Sequence, residues 1–184
     1  SASMASNRLQ DAASPDHTQT QRQTPRSVGS LRVKVLSTML SGNPNGGIGE
    51  WGFAAIVEVD GQRILFDTGA RPDTVLKNAK ELGVDLANVK DVILSHNHSD
   101  HTNGLMTLRR EYTKTNPAAL SRAHVGKGIF WNRPSNSGEA NVMVKIKPEY
   151  EGAGGVFIEY DEPKEILPGR PVAPDQVAMG VAIE

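Results

Sequence analysis

Three histidines and an aspartate fall within six consecutive positions, His96-Asn97-His98-Ser99-Asp100-His101. A short apolar run, Asp91–Ser95 (DVILS), leads into them, and a helical pattern over Leu105–Thr115 leads out. The segment therefore has to be a polar turn between a buried strand and a helix, which constrains the chain more than any other stretch. Neutral imidazole and carboxylate suit zinc, iron or manganese. His96 and His98, two apart on a strand end, point to one side and can share an ion. Asp100 and His101, on the turn into the helix, can reach a second ion. Two such ions hold and acidify a bridging water. The chain has no cysteine, so any metal is held by nitrogen and oxygen. A disulfide scaffold, Cys-ligated zinc, iron–sulfur clusters and Cys nucleophiles are all excluded.

The rest of the chain supplies a mixed α/β frame. LRVKVLS from Leu31 is a short strand pattern. Phe53–Val59 and Gln62–Asp67 are β-rich runs joined by Asp60-Gly61, a favoured two-residue hairpin turn. Both faces of this hairpin are largely apolar, as in a sheet covered on both sides. A helix follows from about Pro72, with Val75, Leu76, Ala79 and Leu82 as its apolar stripe and Gly83 at its end. Pro117 stops the second helix. Leu120–Val125, Val142–Ile146 and Val156–Tyr160 read as weaker strands. Residues 1–30 carry only Met4, Leu9 and Val28 as large apolar side chains and read as a disordered tail, His17 included. The domain is expected over 31–168, and 169–184 is left unassigned.

With these elements in place, His96-Asn97-His98-Ser99-Asp100-His101 resembles the HxHxDH signature of metallo-β-lactamase-fold hydrolases. Phe66-Asp67-Thr68-Gly69 is similar to that family's strand-end DTG, and Asn103-Gly104-Leu105 to its exit from the histidine loop. The resemblance covers about Leu31–Arg133. A looser likeness, Ala123-His124-Val125 with Phe130 and Arg133, points to the dihydropterin synthase-like branch. The resemblance implies an αβ/βα sandwich, of which this chain supplies the N-terminal half plus extra strands. It implies His96, His98, Asp100 and His101 as metal ligands, with Asp100 also catalytic. It implies Asp67 as a supporting group that hydrogen-bonds a ligand rather than the metal. His124 is a candidate substrate contact, with a partnered structural histidine as the commoner role. Trp51, Phe130 and Trp131 are candidate pocket aromatics, with packing as their commoner use.

The full family site holds two divalent ions, zinc first, with iron or manganese as alternatives. It draws further ligands from downstream: a third histidine, a bridging aspartate and a last histidine. After His124 this sequence has no histidine, and its later aspartates are Asp161 and Asp175. One ion or none is therefore an open expectation here. The function expected is a hydrolase whose metal-bound hydroxide attacks an ester, lactone, amide or phosphoester of a small molecule. The alternative is a truncated, non-catalytic metal-binding or interaction module. Net charge is −1, with 20 Lys+Arg against 21 Asp+Glu, which gives no basic field for nucleic acid or an anionic membrane. A homo-oligomer or a complementing chain is the expected partner. A cytoplasmic location is expected, because the first thirty residues contain no apolar signal segment.

Overall fold

The structure, a computed structural model, describes residues 26–41, 45–132, 141–167 and 170–171. Two two-residue strands, β1 (Arg26–Ser27) and β8 (Arg170–Pro171), pair antiparallel. They come from the stretches read as a tail and as unassigned. Residues 1–25, His17 among them, and 172–184 lie outside the described residues.

The main sheet has six strands in sequence order: β2 (Leu31–Ser37), β3 (Ala54–Val59), β4 (Gln62–Phe66), β5 (Asp91–Leu94), β6 (Arg122–Gly126) and β7 (Val156–Tyr160). The first three run antiparallel, and β4 through β7 run parallel. The hairpin turns as its sequence requires. Asp60 and Gly61 both take positive φ, 50° and 82°, the geometry of the tight turn that matches strand twist. Each parallel step needs a crossover. These are α1 (Thr74–Glu81), then α2 (Ser99–Thr102) with α3 (Leu105–Tyr112), then α4 (Val142–Gly152).

All three longer helices cover one face of the sheet. Ile56, Leu65, Val92, Leu94, Ala123 and Val125 meet Val75 and Ala79 of α1, Leu105 and Leu108 of α3, and Met143, Ile146 and Tyr150 of α4. Burying each large aliphatic side chain there contributes about 1.5–3 kcal/mol. The opposite face carries a smaller cluster of Val57, Val59, Ile64 and Ile93, with Phe66, Tyr160, Ile166 and Leu167 packed on it. Coverage on both faces holds only at the centre. Leu31, Val33 and Val35 of β2 lie opposite Val59, Val57 and Ala55 and are exposed.

Two expectations are corrected. Val142–Ile146 is the start of α4, not a strand. Alternating Val142, Val144 and Ile146 imitate period two, but the buried residues are Met143, Ile146 and Tyr150, spaced three and four apart. Asn141 begins the helix, its side chain accepting from the Met143 N–H at 2.9 Å. In α1 the buried stripe is Thr74, Val75, Asn78 and Ala79, and Leu82 lies outside it, exposed. Among the described residues no helix is long and apolar enough to cross a membrane.

Candidate metal centre

The histidine loop leaves the carboxyl end of β5 and is fixed from below by the turn that ends β4. Asp67 takes a left-handed backbone, φ 55°, which aspartate tolerates better than most residues. Its N–H donates to the Ile93 carbonyl at 2.9 Å, tying the two strand ends together. Thr68 then donates twice to the His101 carbonyl, from its N–H at 2.7 Å and its hydroxyl at 3.0 Å. The backbone of Gly104 packs so closely on the Thr68 carbonyl that a Cβ there would overlap it. Phe53 N–H donates to the Asp100 carbonyl at 3.3 Å, and the Thr102 hydroxyl donates to the His98 carbonyl at 3.0 Å. The loop is thus held by its backbone, and its side chains are left to face outward.

His96, Asp100 and His101 converge, each offering a ligand atom within 4.8 Å of the others. All three are half-buried. Asp67 is fully buried beneath them. One of its oxygens accepts from the Ser95 N–H at 2.8 Å; the other takes the Ser95 hydroxyl and His101 Nδ1, each at 2.7 Å. An ionised carboxylate only accepts, so His101 carries a proton on Nδ1, and in its neutral form it leaves the Nε2 lone pair facing Asp100, 3.5 Å away. The Ser95 hydroxyl, having donated to Asp67, accepts from His96 Nδ1 at 2.9 Å. His96 then also presents an Nε2 lone pair. One carboxylate sets both tautomers, the arrangement by which outer groups orient metal-binding imidazoles. Burial, and then the neighbouring His101 and His98, hold the His96 pKa below the ordinary imidazole value and favour the neutral form. The donor set, two oriented imidazoles and a carboxylate, fits a divalent ion such as zinc.

His98 is placed differently. Strand β5 ends at Leu94, so His96 and His98 lie on the turn rather than on a strand, and His98 precedes the first residue of α2. Its ring stands edge-on to His96, centroids 4.5 Å apart, but it is exposed and outside the three-donor group. His124 is buried in mid-strand β6, with Nε2 on Asp91 at 2.6 Å and Nδ1 on the Tyr160 hydroxyl at 2.8 Å. Both its ring nitrogens are engaged within the protein. Trp51 and Trp131 are largely exposed, whereas Phe130 packs edge-on against Phe157 at 5.1 Å.

Besides Asp91, two buried charged residues were not foreseen. Glu50 accepts from the Ala70 and Arg71 N–H groups, each at 2.9 Å, and from the Ser37 hydroxyl at 2.7 Å, which braces the turn after Asp67. Nothing in the Gly-rich stretch around it signals this. Arg109 donates to the carbonyls of Pro117, Ala119 and Ala153. Its place on the apolar side of a helical pattern, one residue after Leu108, was the available signal.

A sequence model of the Metallo-beta-lactamase superfamily matches residues 52–180. The chain belongs to the metallo-beta-lactamase superfamily. The match takes in the hairpin, the DTG turn, the histidine loop and the parallel strands, and it runs well past Arg133. Superfamily members bind divalent metals, and hydrolases are among them. The chain is 27% identical over 146 residues to 7,8-dihydropterin-6-methyl-4-(beta-D-ribofuranosyl)-aminobenzene-5'-phosphate synthase of Methanocaldococcus jannaschii, covering 77% of this chain and 49% of that protein. It thus spans about half the length of that curated relative. Similar solved structures include a quorum-quenching N-acyl homoserine lactone lactonase (19% identity, TM-score 0.47, 78% of this chain and 62% of that one). Another is the short form of human tRNase Z (17% identity, TM-score 0.43, 70% and 42%).

Proposed function

We propose that this chain is a metal-dependent hydrolase acting on an ester, lactone, amide or phosphoester of a small molecule. The observation that carries this reading is the convergence of His96, Asp100 and His101 over a single buried carboxylate, Asp67, which fixes the tautomers of both histidines. These three residues would hold the ion, with zinc favoured and iron or manganese accepted. A bound ion supplies Lewis acidity to a carbonyl or phosphoryl oxygen and makes water a nucleophile near neutral pH. The protein's own part is to favour the neutral His96 imidazole, to aim both imidazoles, and to offer the Asp100 carboxylate as an acceptor that orients a water. The phosphate in the methanogen synthase's name is a reason to include phosphoesters among the substrates tried.

A second reading, a metal-binding module without turnover, draws on one observation. The only three-donor group among the described residues comes wholly from one loop, and three donors from one loop leave an ion open to loss. Purified, chelator-free protein separates the two. Elemental analysis should find at least one zinc, iron or manganese per chain, lost in His101→Ala. Hydrolysis of p-nitrophenyl acetate or bis-p-nitrophenyl phosphate should track that metal. Metal without turnover on any ester, lactone or phosphoester supports the module. No metal at all refutes both.

A further inference from the structure

On the sheet face away from the helices, three strands bring a second chemical group together. Asp91 begins β5, Arg122 and His124 lie on β6, and Tyr160 ends β7. Register places Arg122 opposite Asp91 and Val156, and Tyr160 opposite Gly126. Asp91 and His124 are both buried, and Tyr160 is half-buried. Arg122 grips Asp91 with two donors, Nε at 2.7 Å and Nη2 at 2.6 Å. His124 Nε2 adds a contact at 2.6 Å, and its Nδ1 lies 2.8 Å from the Tyr160 hydroxyl, with the two rings stacked nearly parallel.

The protons in this chain of contacts can be assigned in order. Burial disfavours the Asp91 charge, but hydrogen bonds from His124 and Arg122 outweigh it and keep the carboxyl below its ordinary range. An ionised Asp91 only accepts, so His124 carries a proton on Nε2. In the neutral imidazole Nδ1 is then a lone pair, and the Tyr160 O–H donates into it. The phenol oxygen is left with its own lone pairs directed away from the base. Nucleophile, base and orienting carboxylate in sequence, each within hydrogen-bond reach, is the arrangement that activates a hydroxyl.

We infer that Asp91, His124 and Tyr160 form a base-activated nucleophilic site, with Tyr160 Oη accepting electrophilic acyl-type groups. In the step, an Oη bond forms to the electrophilic centre and the bond to its leaving group breaks, the leaving group departing with the electron pair. The phenol proton passes to His124 Nδ1, and the resulting imidazolium is stabilised by Asp91. Burial and the Asp91 charge hold the Tyr160 pKa above the ordinary phenol value, so the free phenolate does not supply the nucleophile and the base is required. The other two tyrosines cannot compete. Tyr112 and Tyr150 are buried, and the Tyr150 hydroxyl donates to the Leu120 carbonyl at 2.7 Å. This site does not depend on the metal reading, because it lies on other residues of the sheet.

The test uses the full chain and p-toluenesulfonyl fluoride, in which sulfur stands in for an acyl carbon and fluoride leaves. One sulfonyl adduct is expected, located by peptide mass spectrometry on Tyr160, with equal rates with and without added zinc or chelator. The groups facing His124 are Asp91, Arg122 and Tyr160. The charged residues of the segment after β7 (Asp161, Glu162, Lys164, Glu165) are exposed. Because the base, not phenol ionisation, supplies the nucleophile, the labelling rate should level off well below the phenol range. Tyr160→Phe should remove the adduct, and His124→Gln should slow labelling at least tenfold with the melting temperature little changed. The inference is overturned by labelling elsewhere, or by a Tyr160 rate that simply rises with phenol ionisation. It is equally overturned if a folded His124→Gln labels as fast as the parent. The pH profile of the unaltered protein decides the matter if that variant does not fold.

Discussion

Asp67→Asn isolates the tautomer control described above. The substitution keeps shape, and asparagine tolerates the left-handed backbone at φ 55°. One side-chain oxygen can still accept from the Ser95 N–H, now at 2.8 Å from Asp67. The other oxygen becomes an NH2 facing two groups that each lay at 2.7 Å, the Ser95 hydroxyl and His101 Nδ1. A donor opposite Nδ1 forces His101 to move its proton to Nε2, the nitrogen needed for an ion. The Ser95 hydroxyl is freed to reorient, so His96 loses its fixed tautomer as well. Loss of such an outer partner weakens metal binding by about 10–100-fold, or about 1.4–2.8 kcal/mol. Stability should change less, by about 1 kcal/mol, because charge-assisted hydrogen bonds are replaced by neutral ones. Zinc affinity measured against a chromophoric chelator gives the first number, and chemical denaturation of the metal-free protein the second. Nitrogen-15 shifts of His101 report the tautomer directly. Zinc affinity within twofold of the parent, with the His101 proton still on Nδ1, would refute the reasoning.

Four further outcomes are expected. His101→Ala should cost at least tenfold in zinc affinity, and His98→Ala clearly less, because His98 stands outside the three-donor group; a competitive zinc titration of both variants checks the order. Gly104→Ala should destabilise the fold by about 1–3 kcal/mol in urea unfolding, since its methyl meets the Thr68 backbone rather than a side chain that can move. Asp91 has a depressed pKa in the folded state, so its contribution is full above the unfolded value of about 3.9 and is lost as pH falls through the lower folded value; acid titration of stability should show a shallower decline in Asp91→Asn than in the parent. Asn141→Ala should cost about 1 kcal/mol by removing the cap on α4, read from the same denaturation curves.

The elements that were legible in the sequence are those whose local signals agree. Asp60-Gly61 between two β-rich runs can hardly be anything but a hairpin turn. The strand into His96 was marked by a short apolar run and the helix from Leu105 by a helical pattern, on either side of a polar loop. The loop's residue types likewise announced metal chemistry without the fold. What was lost depended on distance in space. Val142–Ile146 suits either period over five residues, and only the packing of Tyr150 beneath the sheet decides for a helix. His124 gave no sign of its partners, because Asp91 lies 33 residues before it and Tyr160 36 residues after. The exclusion of His98 from the three-donor group turns on β5 stopping at Leu94, one residue short of the run DVILS.

Arg109 gives the histidine loop a mechanical property. Helix α3 begins one residue after Gly104, whose backbone presses on Thr68, and in its last turn Arg109 fastens to carbonyls from the next connection and from the end of α4. The loop therefore cannot lift as a flap. To open it, α3 must leave the sheet, and with it go the anchors of two other segments. Amides of residues 99–105 should accordingly exchange with solvent through cooperative unfolding of the whole frame rather than by local fraying. A ligand that reaches these side chains meets a surface already in its final shape, and selectivity has to come from what fits that surface rather than from a loop that adjusts to its guest.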